Sequence, residues 1–302
     1  MDLEFLHQLE PAQIRELVPK YLSEFIGEPD AAAVNLVRIS TMFANRSDEE
    51  LSGMLQTVVN VGSDHLLCQA NPMSRDMMRN WTQDVIPNHS LDSVEHLRSA
   101  MSGRPVILLG NHLSYYDIAA LDCVLAWEGH VDLADHIAIA AGPKVYANLF
   151  RRFAASAMNS LRVPQSTSFE HTEDLSPIDL ARKALASVNA AHDAIGQGYA
   201  LLIYAEGSRS RTGRLRPFLR AVHRYLKLDD ALIVPTAVTG ADKMFPVGGD
   251  KIMPADVAVR FGAPLSVSEI GGSKAALEAG WHALAEILPD AYKPEVDEPA
   301  LA

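Results

Sequence analysis

The sequence predicts an α/β protein, a mixed sheet with crossover helices over residues 101–290, preceded by a smaller all-helical domain over 1–100 and followed by a loose tail at 291–302. Three observations predict it. In the first hundred positions apolar residues recur at three-four spacing, as in Ile14, Leu17, Val18, Tyr21, Leu22 and Phe25, which line one face of a helix. From about Gly103 the texture changes to short apolar runs separated by helical stretches, the alternation of strands and crossovers. From about Pro289 the chain is rich in proline and acid, the composition of a loose end.

Taken in order, the stripe from Ile14 to Phe25 reads as a helix buried in its own bundle rather than one lying on a membrane or a partner. Ser47-Asp48-Glu49-Glu50 resembles a capping box, with the hydroxyl and Glu50 placed to satisfy free amides at a helix start. The expected strands are Pro105 to Leu109, Ile137 to Ala141, Tyr199 to Tyr204, Ala231 to Val238 and Val257 to Phe261. Ser176-Pro177 fits an N-cap followed by proline at the first helical position, opening a helix that runs towards Gly196. There is no internal repeat and no low-complexity tract.

Composition bounds the partners. The 302 residues are 48% hydrophobic, ample for a packed core. Lys and Arg number 26 against 38 Asp and Glu, a formal net charge of -12 that repels a nucleic-acid backbone, so no nucleic-acid partner is expected. Cys68 and Cys123 stand far apart with no metal-ligand spacing and read as reduced, buried thiols, and no metal site is expected. Met1-Asp2-Leu3-Glu4 opens on acid rather than on the basic stretch of a signal peptide, and no segment approaches the ~20 apolar residues of a membrane span. The expectation is a cytoplasmic or stromal-like soluble compartment, with any membrane contact peripheral.

Two segments carry chemistry. Gly110-Asn111-His112-Leu113-Ser114-Tyr115-Tyr116-Asp117 follows the run Val106 to Leu109, so a strand ending there delivers His112 to the carboxyl edge of the sheet, where open α/β folds place their ligands. A neutral imidazole there can accept a hydroxyl proton while the Asp117 carboxylate, about one helical turn on, orients it and stabilises the cation. Spacing alone says little: the chain has 11 histidines, and His130-Val131-Asp132-Leu133-Ala134-Asp135 repeats the interval. That second pair follows the helix-ending Trp127-Glu128-Gly129, opens no strand-to-helix turn and reads as solvated loop.

The second segment is Tyr204-Ala205-Glu206-Gly207-Ser208-Arg209-Ser210-Arg211, after the apolar run Ala200 to Ile203. Gly207 permits close backbone approach, and Arg209 and Arg211, alternating with serines, could grip phosphate through several donors. From Glu206 through Lys227 there are seven cations against one acid, a local net charge of +6 that leaves -18 for the rest. Such an interruption of an acidic chain, directly after a buried strand, reads as an anion site.

Together the two segments resemble the glycerolipid acyltransferase family, the glycerol-3-phosphate and lysophosphatidate acyltransferases. Asn111-His112 with Asp117, then Glu206-Gly207-Ser208-Arg209-Ser210, then Ile233-Val234-Pro235 match the family's blocks in the family's order, over roughly Gly103 to Leu265. The helical N-terminal part is similar in layout to the soluble, plastid-type glycerol-3-phosphate acyltransferases. The resemblance implies that the α/β part is the acyltransferase domain, with His112 and Asp117 catalytic and Asn111, Ser114, Arg162, Glu206, Gly207, Ser208, Arg209 and Arg211 binding substrate. It implies no cofactor; the acyl donor is a thioester of coenzyme A or acyl carrier protein, and the acceptor a phosphate-bearing small molecule, glycerol 3-phosphate first.

The chain departs from that pattern in two places. The Lys-His pair expected between the blocks is replaced by Leu161-Arg162-Val163-Pro164-Gln165-Ser166, where only Arg162 is cationic, and the proline before Glu-Gly is replaced by Tyr204-Ala205. Lys144, Arg151 and Arg152 either add charge nearby or stand as exposed helix positions.

Overall fold

A computed structural model describes residues 2–63, 67–164, 176–228, 230–296 and 298–302; Gln165 and Ser166 lie outside the described residues. Its strands are β1 (Leu67–Cys68), β2 (His89–Asp92), β3 (Val106–Gly110), β4 (Ile137–Ala141), β5 (Asn159–Arg162), β6 (Ala200–Ile203), β7 (Leu232–Thr239), β8 (Val257–Phe261) and β9 (Leu265–Ser266). Helices of seven residues or more are α1 (Pro11–Ser23), α2 (Pro29–Ala44), α3 (Asp48–Asn60), α4 (Pro72–Thr82), α5 (Val94–Ala100), α6 (Asp117–Trp127), α7 (Leu149–Ser156), α8 (Pro177–Gly196) and α9 (Ser273–Ile287).

The sheet runs β1-β5-β4-β6-β3-β7-β8-β2, with β9 also on β7. Its centre, β5-β4-β6-β3-β7, is parallel, while β1, β8 and β9 each join their neighbour antiparallel. A strand covered on both faces must be apolar throughout, and β3, β6 and β7 are buried at every position. Side chains alternate between faces: Val106 and Leu108 pack in one apolar cluster with α1 to α4, and Ile107 and Leu109 pack in another with α8 and α9.

The five expected strands form, each within about a residue of its expected bounds, and the capping box closes as drawn: Glu50 N donates to Ser47 Oγ (3.2 Å) and Ser47 N to Glu50 Oε2 (2.9 Å). Ser176 caps α8 through Asp179 N (3.2 Å). The stripe from Ile14 to Phe25 faces protein, with Ile14, Val18 and Leu22 nearly or fully buried.

Three expectations change. The segment 1–100 is not a separate helical unit: β1 and β2 lie inside it and join the sheet, and Val18, Phe43, Met54 and Trp81 share one core with Leu108 and Val234. A four-residue strand of mixed polarity such as β2, His-Ser-Leu-Asp, carries too little periodicity to be read alone. Nor are the described residues at the chain's end, 291–296 and 298–302, loose: Phe218 N donates to Ala300 O (2.9 Å), Ala302 N to Phe218 O (2.9 Å) and Leu215 N to Tyr292 O (2.9 Å). That end clamps the loop after β6 through backbone pairing, which composition does not signal. Lastly, Cys123 on α6 is buried but Cys68, on the two-residue edge strand β1, is only partly covered.

Among the described residues no helix is long and apolar enough to cross a membrane, and no group of three His, Cys, Asp or Glu could hold a metal ion.

Candidate active site

The site begins where β3 ends. The chain leaves Gly110, turns through Asn111 to Tyr116 and enters α6 at Asp117, which is fully buried. Asp117 faces back over the turn, Oδ2 accepting from Leu113 N (2.8 Å) and both oxygens from Ser114 N (2.9 and 3.0 Å), which satisfies buried amides of the turn that precedes the helix. The same Oδ2 lies 2.8 Å from His112 Nδ1. Since an ionised carboxylate only accepts, Nδ1 carries the proton and the Nε2 lone pair is left for chemistry. Burial pushes the Asp117 carboxyl above its usual range, and the imidazole and the two amides pull it back.

The second segment holds the first in place. His112 N donates to Glu206 Oε1 (2.7 Å), Ser210 N donates to His112 O (2.7 Å), and Arg216 N donates to Glu206 Oε2 (3.2 Å). Histidine and arginine segments, almost a hundred positions apart, therefore lie side by side, because β3 and β6 are neighbouring parallel strands and end at the same sheet edge. Glu206 is 1% exposed with both oxygens on backbone amides. Burial pushes its carboxyl up to about 8, against the opposing pull of those amides. Gly207 turns the chain at φ +72, a conformation that favours glycine, and a Cβ there would stand 2.3 Å from Leu219 Cδ1, so the leucine would have to shift.

Not every residue expected to bind substrate has its polar atoms free to do so. Asn111 is 1% exposed and pairs with both backbone groups of Val238, its Nδ2 donating to O (2.9 Å) and its Oδ1 accepting from N (2.9 Å); it ties the turn to β7. Ser114 is 1% exposed, donating to Phe245 O (3.4 Å) and accepting from Tyr116 N (3.2 Å), which leaves it unsuited to be a nucleophile. Ser208 Oγ accepts from Arg216 Nη1 (2.7 Å). Arg162 donates to Gly62 O (3.0 Å), so its charge is partly engaged at the end of β5. Asn111, Ser114 and Ser208 thus make bonds within the protein, a role their types alone do not separate from ligand binding.

Arg209 and Arg211 divide. Arg211 is exposed, whereas the Arg209 guanidinium lies 4.0 Å from the centre of the Tyr115 ring. On the same ring, at 3.9 Å, lies Arg151. Burial and the neighbouring Arg209 depress the Arg151 guanidinium below its ordinary value, and Arg209 Nη1 is buried with no hydrogen-bond partner among the described residues. Two guanidiniums gathered on one tyrosine, whose ring is 6.4 Å from that of His112, form a site suited to an anion. Of the other cations left open by the sequence, Lys144 is exposed and Arg152 is buried on carbonyls of Tyr146 (2.8 Å), Val58 (2.9 Å) and Val59. The adjacent arginines of α7 thus have opposite uses, and nothing in the pair Arg151-Arg152 signals which is which.

Tyr204 also belongs to the site. Its ring stacks on the His112 imidazole with centroids 4.4 Å apart and planes 6° apart. Close by, Leu22, Met77, Trp81, Tyr116, Phe150 and Phe153 line an apolar recess of about 20 Å³ between the helical layer and α7.

Comparison with known proteins adds an independent line. A family model described as Acyltransferase matches residues 88–239, half of the chain. No curated protein matches. Among solved structures, the chain is similar to the 1-acyl-sn-glycerophosphate (LPA) acyltransferase PlsC from Thermotoga maritima, at 14% identity and a TM-score of 0.48, over 91% of this chain and 97% of that one. The matched span starts at β2, which the helical reading of the first hundred residues leaves out, and ends with β7, so that it takes in both segments that build the cleft; the chain belongs to the acyltransferase family and is an acyltransferase.

Proposed function

We propose that the protein moves a fatty acyl group from a thioester of acyl carrier protein or coenzyme A to a hydroxyl of a phosphate-bearing acceptor, glycerol 3-phosphate first. The observation that carries the reading is the His112–Asp117 pair, braced through His112 N and O by the segment that also supplies Arg209. His112 Nε2 removes the acceptor's hydroxyl proton as that oxygen attacks the thioester carbonyl, and Asp117 steadies the imidazolium. The tetrahedral intermediate expels the thiolate, which recovers the proton from His112, so proton and charge balance without a covalent acyl-enzyme.

The phosphate half rests on Arg151 and Arg209, which together replace the cations missing around Arg162. The acyl chain is assigned to the recess beside Tyr116, whose Met77 and Met78 can re-pack as a chain enters. A recess of about 20 Å³ holds no more than about one methylene, so the chain displaces Phe150, which stacks on Phe25 at 4.0 Å.

Thiol release from one acyl thioester, measured across glycerol 3-phosphate, lysophosphatidate and unphosphorylated alcohols and amines, tests the reading. The phosphorylated acceptors should turn over, and Arg209→Ala should lower kcat/KM for them by about tenfold or more while leaving any slow alcohol acylation unchanged. Equal turnover of phosphorylated and unphosphorylated acceptors would point to a non-glycerolipid acceptor, and thioester binding without thiol release for any acceptor to a binding module.

A further inference from the structure

We propose that Tyr204 is a positioning residue for the base: its ring fixes the plane of the His112 imidazole and stabilises the imidazolium formed as His112 takes the acceptor's proton. The inference rests on the reading of His112 as the base.

The hydrogen bond to Asp117 holds one atom of the imidazole, which leaves the ring free to tilt about that contact. The face of Tyr204, 4.4 Å away and within 6° of parallel, removes that freedom and leaves Nε2 directed by two constraints instead of one. The stack has been accommodated by the sheet. β3 ends in Gly110, and a Cβ there would lie 2.9 Å from Tyr204 Cε1, 3.1 Å from its Cδ1 and 3.2 Å from Leu202 Cδ1. A Cβ at the end of β3 would make the ring give way by a few tenths of an ångström.

The hydroxyl is not the reason for a tyrosine here. Tyr204 Oη is buried and finds no partner among the described residues, and a buried unpaired hydroxyl destabilises the fold. Burial also keeps the phenol neutral, well above its ordinary pKa, so the imidazole meets an aromatic face and not a phenolate. What remains useful is that face. An imidazolium over an aromatic ring is favoured relative to neutral imidazole, in a desolvated site by a margin of about one pH unit. The other groups around the imidazole are Asp117 at Nδ1, Tyr115 with Arg151 and Arg209 upon it, and Glu206 against the His112 backbone. Replacing Tyr204 by a neutral residue alters none of their charges.

The test titrates the His112 ring by NMR and records kcat and KM against pH in the full-length wild type, Tyr204→Leu and Tyr204→Phe. Tyr204→Leu should lower the His112 pKa and the acidic limb of kcat/KM together by about one pH unit, and lower plateau kcat by about tenfold with acceptor KM little changed. Tyr204→Phe should restore both the limb and the turnover, and melt higher than wild type. Should Tyr204→Leu not fold, Gly110→Ala, which keeps the ring but displaces it, should move the titration the same way by less. An unmoved His112 titration in Tyr204→Leu, or Tyr204→Phe behaving like Tyr204→Leu, overturns the inference. Full turnover in His112→Ala would instead sink the assignment of the base, and the ring titration would still report on the stack.

Discussion

His112 and Asp117 stand five positions apart, as do His130 and Asp135, yet only the first pair meets. In the first, the chain leaves a fully buried strand, and the carboxylate that opens α6 turns back on the amides of Leu113 and Ser114 before it reaches the imidazole. In the second, Asp135 is drawn to Arg75 Nη1 (2.9 Å) and Arg79 Nη2 (2.9 Å), while His130 Nδ1 accepts from Arg98 Nη2 (3.1 Å). The same ring nitrogen donates in His112 and accepts in His130. What separates a pair that meets from a coincidence of spacing is therefore the competition for the carboxylate: among the described residues Asp117 has no cation beside it but the imidazole, whereas Asp135 is already engaged by two arginines.

The largest contrast is predicted for the histidines themselves. His112→Ala should lower turnover by about 10²- to 10⁴-fold with the fold retained, and His130→Ala should leave turnover at the wild-type level, both read as thiol release. A comparable loss in the two variants would mean that the distinction drawn between the turns is false.

Asp117→Asn comes next. The amide places a donor where backbone amides of Leu113 and Ser114 also donate, and it cannot hold the Nδ1 proton with the same charge. Turnover should fall about a hundredfold, and unfolding should cost about 1–3 kcal/mol less. A variant with full stability and wild-type kcat would show that Asp117 neither orients the base nor caps the turn.

The backbones of the two histidines give a third contrast. His130 N donates to Leu125 O (2.8 Å), an ordinary helix-end bond, but His112 N relies on the buried Glu206 carboxyl group. With its pKa pushed from 4.5 up to about 8 by burial, Glu206 keeps a proton in the folded state that the unfolded chain releases. Its contribution to the unfolding free energy therefore falls as pH rises from about 4.5 to 8. Thermal melts across that range should slope downward more steeply in the wild type than in Glu206→Gln, and parallel curves would mean that the carboxyl titrates normally.

The contrast also marks how far the sequence can be read. The central strands were legible because burial on both faces demands unbroken apolar runs, and the cleft was legible because two polar blocks each followed such a run. β2 was not, since four residues of mixed polarity have no period of their own and gain a place only by pairing with β8. The pinned end at Ala300 to Ala302 and the clamp of Arg151 and Arg209 on Tyr115 were equally hidden, because both depend on contacts between distant segments. For Asn111, Ser114 and Glu206 residue type cannot tell a ligand-binding group from a structural one, and the structure alone reveals that their atoms are buried and paired within the protein.

The smallest effect is expected at the other carboxylate. Asp135 is 40% exposed in its side chain and shares Arg75 and Arg79 with Asp122, which is 2% exposed and keeps Arg79 at 2.7 Å without help. Asp135→Asn removes one arm of that network and leaves both arginines a buried partner. A half-exposed ion pair is worth about 0–1 kcal/mol, so the melting temperature should drop by about 1–3 °C and turnover should not change. Calorimetry and thiol release on the same preparation separate the outcomes: a larger drop would make Asp135 a structural keystone of the α4–α6 contact, and any loss of turnover at constant stability would mean that a histidine and an aspartate five apart can serve the reaction without the strand-to-helix turn that distinguishes His112 and Asp117.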